Sequence, residues 1–131
     1  MFPIVGLAIA IVPDAPLLAV HTSTLERVFF GGPMPEPAAQ LRRFLLGPLG
    51  GTIAGYFLLQ AFVVSGPFRR REPWAWHAVL WPMLLWFVVD SGMSVYHGAF
   101  FNVWMINVWT LLLVGLPLAM TRRAFGGRFM A

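Results

Sequence analysis

Four residues in one apolar stretch have the side chains and the spacing to act together. Asp90, Ser94 and His97 stand at positions i, i+4 and i+7. Trp86 precedes Asp90 by four residues, so on a helix all four lie on one stripe. Asp90 is also the single carboxylate in residues 74–121. An acid at membrane depth costs about 3 kcal/mol on insertion scales, so it is kept there for structure, for binding or for proton transfer.

Two interpretations of this stripe stay open. In the first, Asp90 pairs with Arg43, or accepts hydrogen bonds from Asn102 and Ser94, and so ties helices together. In the second, Asp90 and His97 line an outward-opening pocket in which the acid and the imidazole exchange a proton. The predicted ligand-binding or polar cluster comprises Asp90, His97, Ser94, Trp86, Asn102, Arg43 and Asp14.

The composition places these residues in a membrane. The chain is 59% hydrophobic and 11% charged, with a mean hydropathy of +0.75. A soluble domain carries roughly 25–35% charged residues on its surface, so an integral membrane protein is predicted. The basic residues are all arginine and flank apolar runs, where they anchor helix ends at lipid headgroups. We therefore expect membrane lipid as a partner and no nucleic acid.

Four apolar segments approach the length of about 20 residues that crosses a bilayer. They run over residues of about 3–20, 44–64, 74–96 and 101–120. Pro13 and Pro16 interrupt the first segment, so its helix is expected to break soon after Ile11. Asn102 and Asn107 of the last segment are the polar residues expected to face the stripe. The predicted fold is all-α, a four-helix transmembrane bundle forming one domain over residues 1–131.

The loop of residues 21–41 has a pattern of its own. Residues 21–30 mix polar and apolar side chains at helical spacing, and Thr22 or Ser23 is placed to cap a short helix. We expect this helix to lie at the membrane interface. Glycines and prolines in residues 31–37 then predict a turn.

The arginines predict an orientation. With four spans, the N-terminus, the loop after the second span and the C-terminal tail share one side of the membrane. That side carries the basic residues Arg69, Arg70, Arg71, Arg122, Arg123 and Arg128, against Arg27, Arg42 and Arg43 on the other. Basic residues of membrane proteins are enriched in the cytoplasmic loops. We therefore predict a multi-pass protein with both termini in the cytoplasm.

A glycine repeat marks a packing face on the second span. Gly47, Gly51 and Gly55 recur every four residues, with Gly50 and Ala54 beside them. Such a stripe lets a neighbouring backbone approach closely. The neighbour is either another helix of this chain, which we favour, or a second copy in a homo-oligomer.

Metal and cofactor chemistry find little support in the residues. The chain has no cysteine, which excludes a disulfide, a thiolate nucleophile and a sulfur-ligated metal. His77 and His97 lie about 30 Å apart along a helix, too far to share a metal or a haem. His21 with His97 would be a poor metal site by themselves. We therefore predict no metal, no cofactor and no catalytic residue.

Four segments of the sequence resemble a known group of proteins. They are LRRFLLGPLGGTIAGYFLLQAFV, FRRREPWAW and LLWFVVDSGMSVYHGAFFNVW, followed by LPLAMTRR. Over residues 40–123 the chain is similar to small four-helix bacterial membrane proteins of the DoxX-like group. The resemblance implies a bacterial inner membrane protein, and it links the chain weakly to membrane redox or quinone-related partners. The missing cysteines speak against a thiol-based role.

The sequence favours a binding protein over an enzyme. The leading hypothesis is a small non-enzymatic membrane protein that binds an apolar molecule or a partner subunit through the polar cluster and the glycine face. A second is an enzyme acting on an isoprenoid or sterol-like substrate by proton transfer at Asp90 and His97. A third, a proton-coupled carrier, ranks lowest because no buried charge continues inward from Asp90.

Overall fold

The computed structural model of the protein describes residues 2 to 125. Helix accounts for 87% of the residues, and the described part of the chain contains no strand, so the predicted all-α class is confirmed. The five helices, numbered α1 to α5, are Phe2–Ile11, Ala19–Phe30, Glu36–Phe68, Pro73–Tyr96 and Phe100–Phe125. A π-helical turn closes α3 at Val64–Phe68, and another interrupts α5 at Val103–Asn107.

Three of the helices, α3, α4 and α5, are long and apolar enough to cross a membrane. They contain 33, 24 and 26 residues, so each exceeds a hydrocarbon core of about 30 Å at about 1.5 Å per residue. This finding is consistent with a membrane protein. α3 begins at Glu36 rather than at the predicted residue 44. Hydropathy marks only the apolar part of a helix, whereas an acid and a proline are favourable in the first turn.

The first predicted span is not one continuous helix. α1 ends at Ile11, as expected, and the chain forms turns through residues 12–15 before a 3₁₀ turn at Pro16–Leu18. α1 has 10 residues, or about 15 Å, roughly half of the hydrocarbon thickness. A fourth membrane-spanning helix is therefore not confirmed. The prolines are the physical cause, because each lacks the N–H that would continue the helix.

The predicted short helix of the first loop is present as α2. It follows the 3₁₀ turn directly and ends at Phe30. The capping residue Gly31 has a φ of 67°, a left-handed conformation that glycine adopts without strain. None of the residues of α2 is buried. Its position at a membrane interface stays a prediction.

The chain divides into two compact units between Leu59 and Gln60. In unit 1, α1 runs antiparallel to α3, with Gly6 beside Ala54 and Ala10 beside Gly50. A Cβ atom added to Gly6 would lie 2.5 Å from the Ala54 nitrogen, and one added to Gly50 would lie 2.6 Å from the Ala10 nitrogen. No side chain fits at either position, so the two backbones are in direct contact.

A largely buried arginine side chain bonds residues at the edge of this contact. The Arg42 side chain is only 13% exposed. Its guanidinium donates to the Asp14 carboxylate at 3.1 Å, to the Pro13 carbonyl at 3.2 Å and to the Thr22 hydroxyl at 2.6 Å. These contacts, called the Arg42 clasp below, connect α3 to the break after α1 and to α2.

In unit 2, α4 and α5 form an antiparallel hairpin. The chain reverses at Gly98, whose φ is 73°. Away from this turn the core consists of Val79, Met83 and Leu118, all at least 95% buried. The Trp76 indole also donates to the Leu118 carbonyl at 3.0 Å, so the start of α4 lies beside the end of α5. The polar residues of the predicted stripe lie toward the opposite, turn end of this hairpin.

Candidate functional site

Asp90, Ser94 and Asn102 form a polar cluster between α4 and α5. Asp90 and Ser94 are one helical turn apart on α4, and Asn102 belongs to the first turn of α5. The Asn102 amide donates to Asp90 Oδ2 at 3.1 Å and to Ser94 Oγ at 2.9 Å. Ser94 is 8% exposed, whereas Asp90 and Asn102 are partly exposed. A single amide thus joins an acid and a hydroxyl across the two helices.

A second polar contact lies one turn further along the hairpin. Asn107 is fully buried, and its amide nitrogen donates to Ser91 Oγ at 3.0 Å. Its amide oxygen accepts no hydrogen bond from any described residue. A buried polar atom without a partner is unusual in a folded protein. Ser91 was not among the predicted site residues.

The π-helical turn Val103–Asn107 brings both asparagines to the same side of α5. Residues five apart do not share a face of an α-helix, where neighbours on a face are three or four apart. In a π-turn the hydrogen bonds run from i to i+5, so Asn102 and Asn107 both face α4. The turn therefore positions one amide against Asp90 and Ser94 and the other against Ser91.

His97 occupies the end of α4 rather than the polar cluster. Its backbone N–H bonds the Met93 carbonyl at 3.1 Å, and Gly98 follows in a left-handed conformation. The imidazole is exposed and meets the Tyr96 ring edge-on, with 5.0 Å between ring centroids. In the described chain no hydrogen bond joins His97 to Asp90. Trp86 is partly buried one turn before Asp90 on the same helix.

The other two predicted members of the cluster, Asp14 and Arg43, belong to unit 1. Asp14 is part of the Arg42 clasp. Arg43 pairs with the exposed Glu36 carboxylate at 2.7 Å. Of the interactions predicted for Asp90, the hydrogen bond from Asn102 is observed, and none from Ser94 is seen among the described residues. Arg43 pairs with Glu36. Convergence of the acidic and basic residues of both units into one site stays a prediction.

The predicted glycine face is not the one that packs in unit 1. A Cβ atom added to Gly47, Gly51 or Gly55 would meet no heavy atom within 4 Å in the described chain. The contact with α1 instead uses Gly50 and Ala54, which lie on the adjacent face of α3. Packing of the predicted stripe against a neighbouring helix stays a prediction.

The chemistry that this arrangement allows is hydrogen bonding. Among the described residues Asp90 accepts one side-chain hydrogen bond and forms no ion pair. A carboxyl group can accept several hydrogen bonds, so Asp90 has room for a further donor. Across residues 2 to 125 no group of three His, Asp or Glu side chains is placed to hold a metal ion.

Comparison of the chain with protein-family models, with curated proteins and with solved structures found no match. The resemblance to DoxX-like membrane proteins thus stays a prediction. What is said of function below depends on the geometry of the polar residues alone.

Proposed function

We propose that the protein is a small non-enzymatic membrane protein that binds a lipid-soluble molecule or a partner membrane subunit. The contact is made by the polar cluster of Asp90, Ser94 and Asn102. The observation that supports this proposal is a partly exposed aspartate, without a cationic partner in the described chain, on a helix long enough to span a membrane.

The surroundings of Asp90 favour a contact that is both polar and apolar. Val89 and Met93, the neighbouring residues on the exposed side of α4, are 55% and 52% exposed. A hydroxyl or amide donor attached to an apolar body would give Asp90 a second hydrogen bond and cover these side chains. A lipid-soluble alcohol has this chemistry, and so does a polar residue on the transmembrane helix of a partner.

Proton transfer is less well supported than binding. The enzymatic hypothesis needs His97 within hydrogen-bonding reach of Asp90 or of a shared substrate. The imidazole instead lies at the exposed end of α4 against Tyr96. Catalysis on an isoprenoid or sterol-like substrate and proton-coupled transport both stay predictions.

The orientation forms part of the proposal. The turn between α3 and α4 and the end of α5 carry most of the arginines of the described chain. The positive-inside rule favours placing these regions in the cytoplasm of a bacterial cell whose inner membrane holds the protein. A cytoplasmic N-terminus depends on how α1 and α2 lie in the bilayer.

The test compares what remains bound to three forms of the protein purified in mild detergent. Mass spectrometry would inventory the lipids, small molecules and polypeptides that accompany the wild type, Asp90→Asn and Ser65→Ala. Ser65 is a matched control because its hydroxyl bonds only its own helix, at the Phe62 carbonyl. We expect a component near equimolar with the wild type and the control, and its loss from Asp90→Asn with the helix content unchanged.

The proposal fails if every bound component is recovered equally from wild type, Ser65→Ala and Asp90→Asn. In that case the cluster would serve only to join α4 to α5. A retained small molecule would favour the ligand hypothesis, and a stoichiometric polypeptide would favour the subunit hypothesis.

A further inference from the structure

One end of unit 2 gathers five arginines from two distant parts of the sequence. Arg69, Arg70 and Arg71 follow the π-turn of α3, and Arg122 and Arg123 lie in the last turn of α5. The Phe68 and Phe125 rings, which adjoin these two groups, pack with 4.7 Å between their centroids. The two groups therefore lie at the same end of the unit, which we call the arginine end.

The charge at the arginine end is largely uncompensated. All five side chains are exposed. Arg70 pairs with Glu72 at 2.7 Å, and the other four form no ion pair in the described chain. The remaining carboxylate of unit 2, Asp90, lies near the opposite end of α4 and bonds Asn102. The arginine end thus contains five arginines and one carboxylate, that of Glu72.

The backbone at Arg71 is a second observation that favours a ligand. Its φ is 58°, and no other non-glycine residue in the described chain has a left-handed conformation. Glycine would adopt this conformation without strain, whereas the same conformation destabilises the fold when the residue has a Cβ atom. Residues with strained backbone cluster at functional sites. Here that side chain adds a cation to the arginine end.

The arginine end also borders the apolar ends of the long helices. α3 ends at Phe68, and α4 begins at Pro73, directly before Trp74. The Trp74 side chain is 54% exposed and the Met120 side chain is 77% exposed. Indoles concentrate where hydrocarbon meets headgroups. A ligand that combines an anionic head with apolar chains would therefore contact the arginines and these side chains together.

We propose that the arginine end is a docking surface for the phosphate headgroups of anionic phospholipids in the surrounding bilayer. Guanidinium groups bind phosphate oxygens through paired hydrogen bonds, which suits a set of exposed arginines without carboxylate partners. A nucleic acid matches the charge but not the adjoining apolar surface. The surface holds unit 2 in the leaflet that is richer in anionic lipid, and this role is independent of the Asp90 cluster.

The experiment uses the full chain in nanodiscs that contain equal amounts of phosphatidylglycerol and phosphatidylcholine. After transfer to mild detergent, native mass spectrometry counts the lipids that each protein retains. We expect the wild type to retain phosphatidylglycerol preferentially at low salt. Each arginine at an anionic membrane surface contributes a factor of about five. A fourfold variant should therefore lower the preference for phosphatidylglycerol at least about tenfold. It combines Arg69→Gln, Arg71→Gln, Arg122→Gln and Arg123→Gln.

The control variant combines Arg27→Gln with Arg43→Gln, two arginines of unit 1 outside the arginine end. It should keep the preference of the wild type. Raising the ionic strength from about 0.01 M to 0.15 M shortens the screening length from about 30 Å to about 8 Å, so the wild-type preference should fall. If the fourfold variant does not fold, the two pairwise variants, one for each arginine group, take its place.

Arg71→Gly separates lipid binding from a structural role. Glycine relieves the left-handed backbone, so this variant should unfold at a higher temperature and yet retain less phosphatidylglycerol. The proposal is overturned if the wild type shows no preference, if the fourfold variant keeps it, or if the unit 1 control loses it equally. It is also overturned if an RNA oligonucleotide displaces the lipid at comparable concentration, because the surface would then bind any polyanion.

Discussion

In unit 1 the helices meet backbone to backbone, whereas in unit 2 they meet through side chains. α1 and α3 approach at Gly6 and Gly50, where no side chain fits, and the Arg42 clasp closes the edge. α4 and α5 instead join through a small apolar core at one end and amide hydrogen bonds at the other. Helices in lipid gain little from hydrophobic burial, so close packing and interhelical hydrogen bonds take its place. Unit 1 adds the hydrogen bonds of the clasp to a close backbone contact, and unit 2 adds amide hydrogen bonds to a small apolar core.

The two units also differ in how many further hydrogen bonds their polar side chains can form. In unit 1, Arg42 donates to three acceptors. In unit 2, Asp90 accepts one side-chain hydrogen bond in the described chain. Arg42 thus spends its hydrogen bonds on residues of its own unit, whereas Asp90 can accept further hydrogen bonds. This difference is why the proposed binding site is placed in unit 2.

The largest effect is expected for Gly50→Ala. The added Cβ would overlap the backbone of α1, and overpacking of this kind costs about 1–3 kcal/mol. The free energy of unfolding, measured by circular dichroism during titration with sodium dodecyl sulfate, should fall by that amount. Gly51→Ala is the matched control, because its Cβ would meet no atom within 4 Å. It should be neutral or stabilising by up to about 1 kcal/mol. Equal losses from both variants would contradict the backbone contact.

A smaller loss is expected when the Arg42 clasp is removed. Arg42→Gln deletes the charged donor that Asp14, Pro13 and Thr22 share, and we expect the same titration to show a loss of about 1–2 kcal/mol. Screening at the exposed Asp14 keeps the value below that of a fully buried pair. Arg43→Gln breaks an exposed pair and should change stability by less than about 0.5 kcal/mol. Similar losses of stability from Arg42→Gln and Arg43→Gln would contradict a stabilising role for the clasp.

The hydrogen bond between Asp90 and Asn102 should be worth less than the clasp. In a double-mutant cycle with Asp90→Ala and Asn102→Ala, we expect a coupling energy of about 0.6 kcal/mol, the average for interhelical hydrogen bonds in membranes. A coupling near zero would show that the two side chains act independently. A coupling well above about 2 kcal/mol would mark the pair as a main support of unit 2.

The smallest effect is a pH dependence at the turn before α4. Hydrogen bonds from Arg70 and then from Trp74 lower the pKa of Glu72 below its ordinary value of 4.5. The ionised form is therefore favoured by folding, and its contribution is present above pH 4.5 and is lost as the pH falls through the lowered pKa. Thermal unfolding of wild type between pH 7 and pH 3 should show this loss. Glu72→Gln should flatten that part of the curve, and an unchanged curve would contradict the assignment.

The sequence predicts the parts of the fold that depend on local chemistry. Proline explains both the break after α1 and the start of α4 at Pro73. Gly98 marks the turn of the hairpin, because its left-handed conformation suits glycine. The polar pairing of Asp90 with Asn102 also follows from the need to satisfy polar groups in an apolar setting.

The sequence cannot decide features that depend on a distant helix. Two faces of α3 are lined by small residues, one by Gly47, Gly51 and Gly55 and the other by Gly50 and Ala54. The choice between them depends on the glycine and the alanine that α1 presents. The π-turn of α5 has no comparable local signature, so the sequence predicts that Asn107 faces α4 but does not identify Ser91 as its partner. An asparagine five residues after another was the available hint.

The most direct test of the proposed binding site is the reactivity of the Asp90 carboxyl toward dicyclohexylcarbodiimide, an apolar reagent that modifies carboxyl groups in membranes. Peptide mass spectrometry would measure modification of this residue in protein stripped of bound components and in the complex isolated in mild detergent, with Asp90→Asn as the blank. The proposed function predicts strong modification of the stripped protein and protection in the complex. Equal modification of both, or none in either, would contradict a binding role for the cluster.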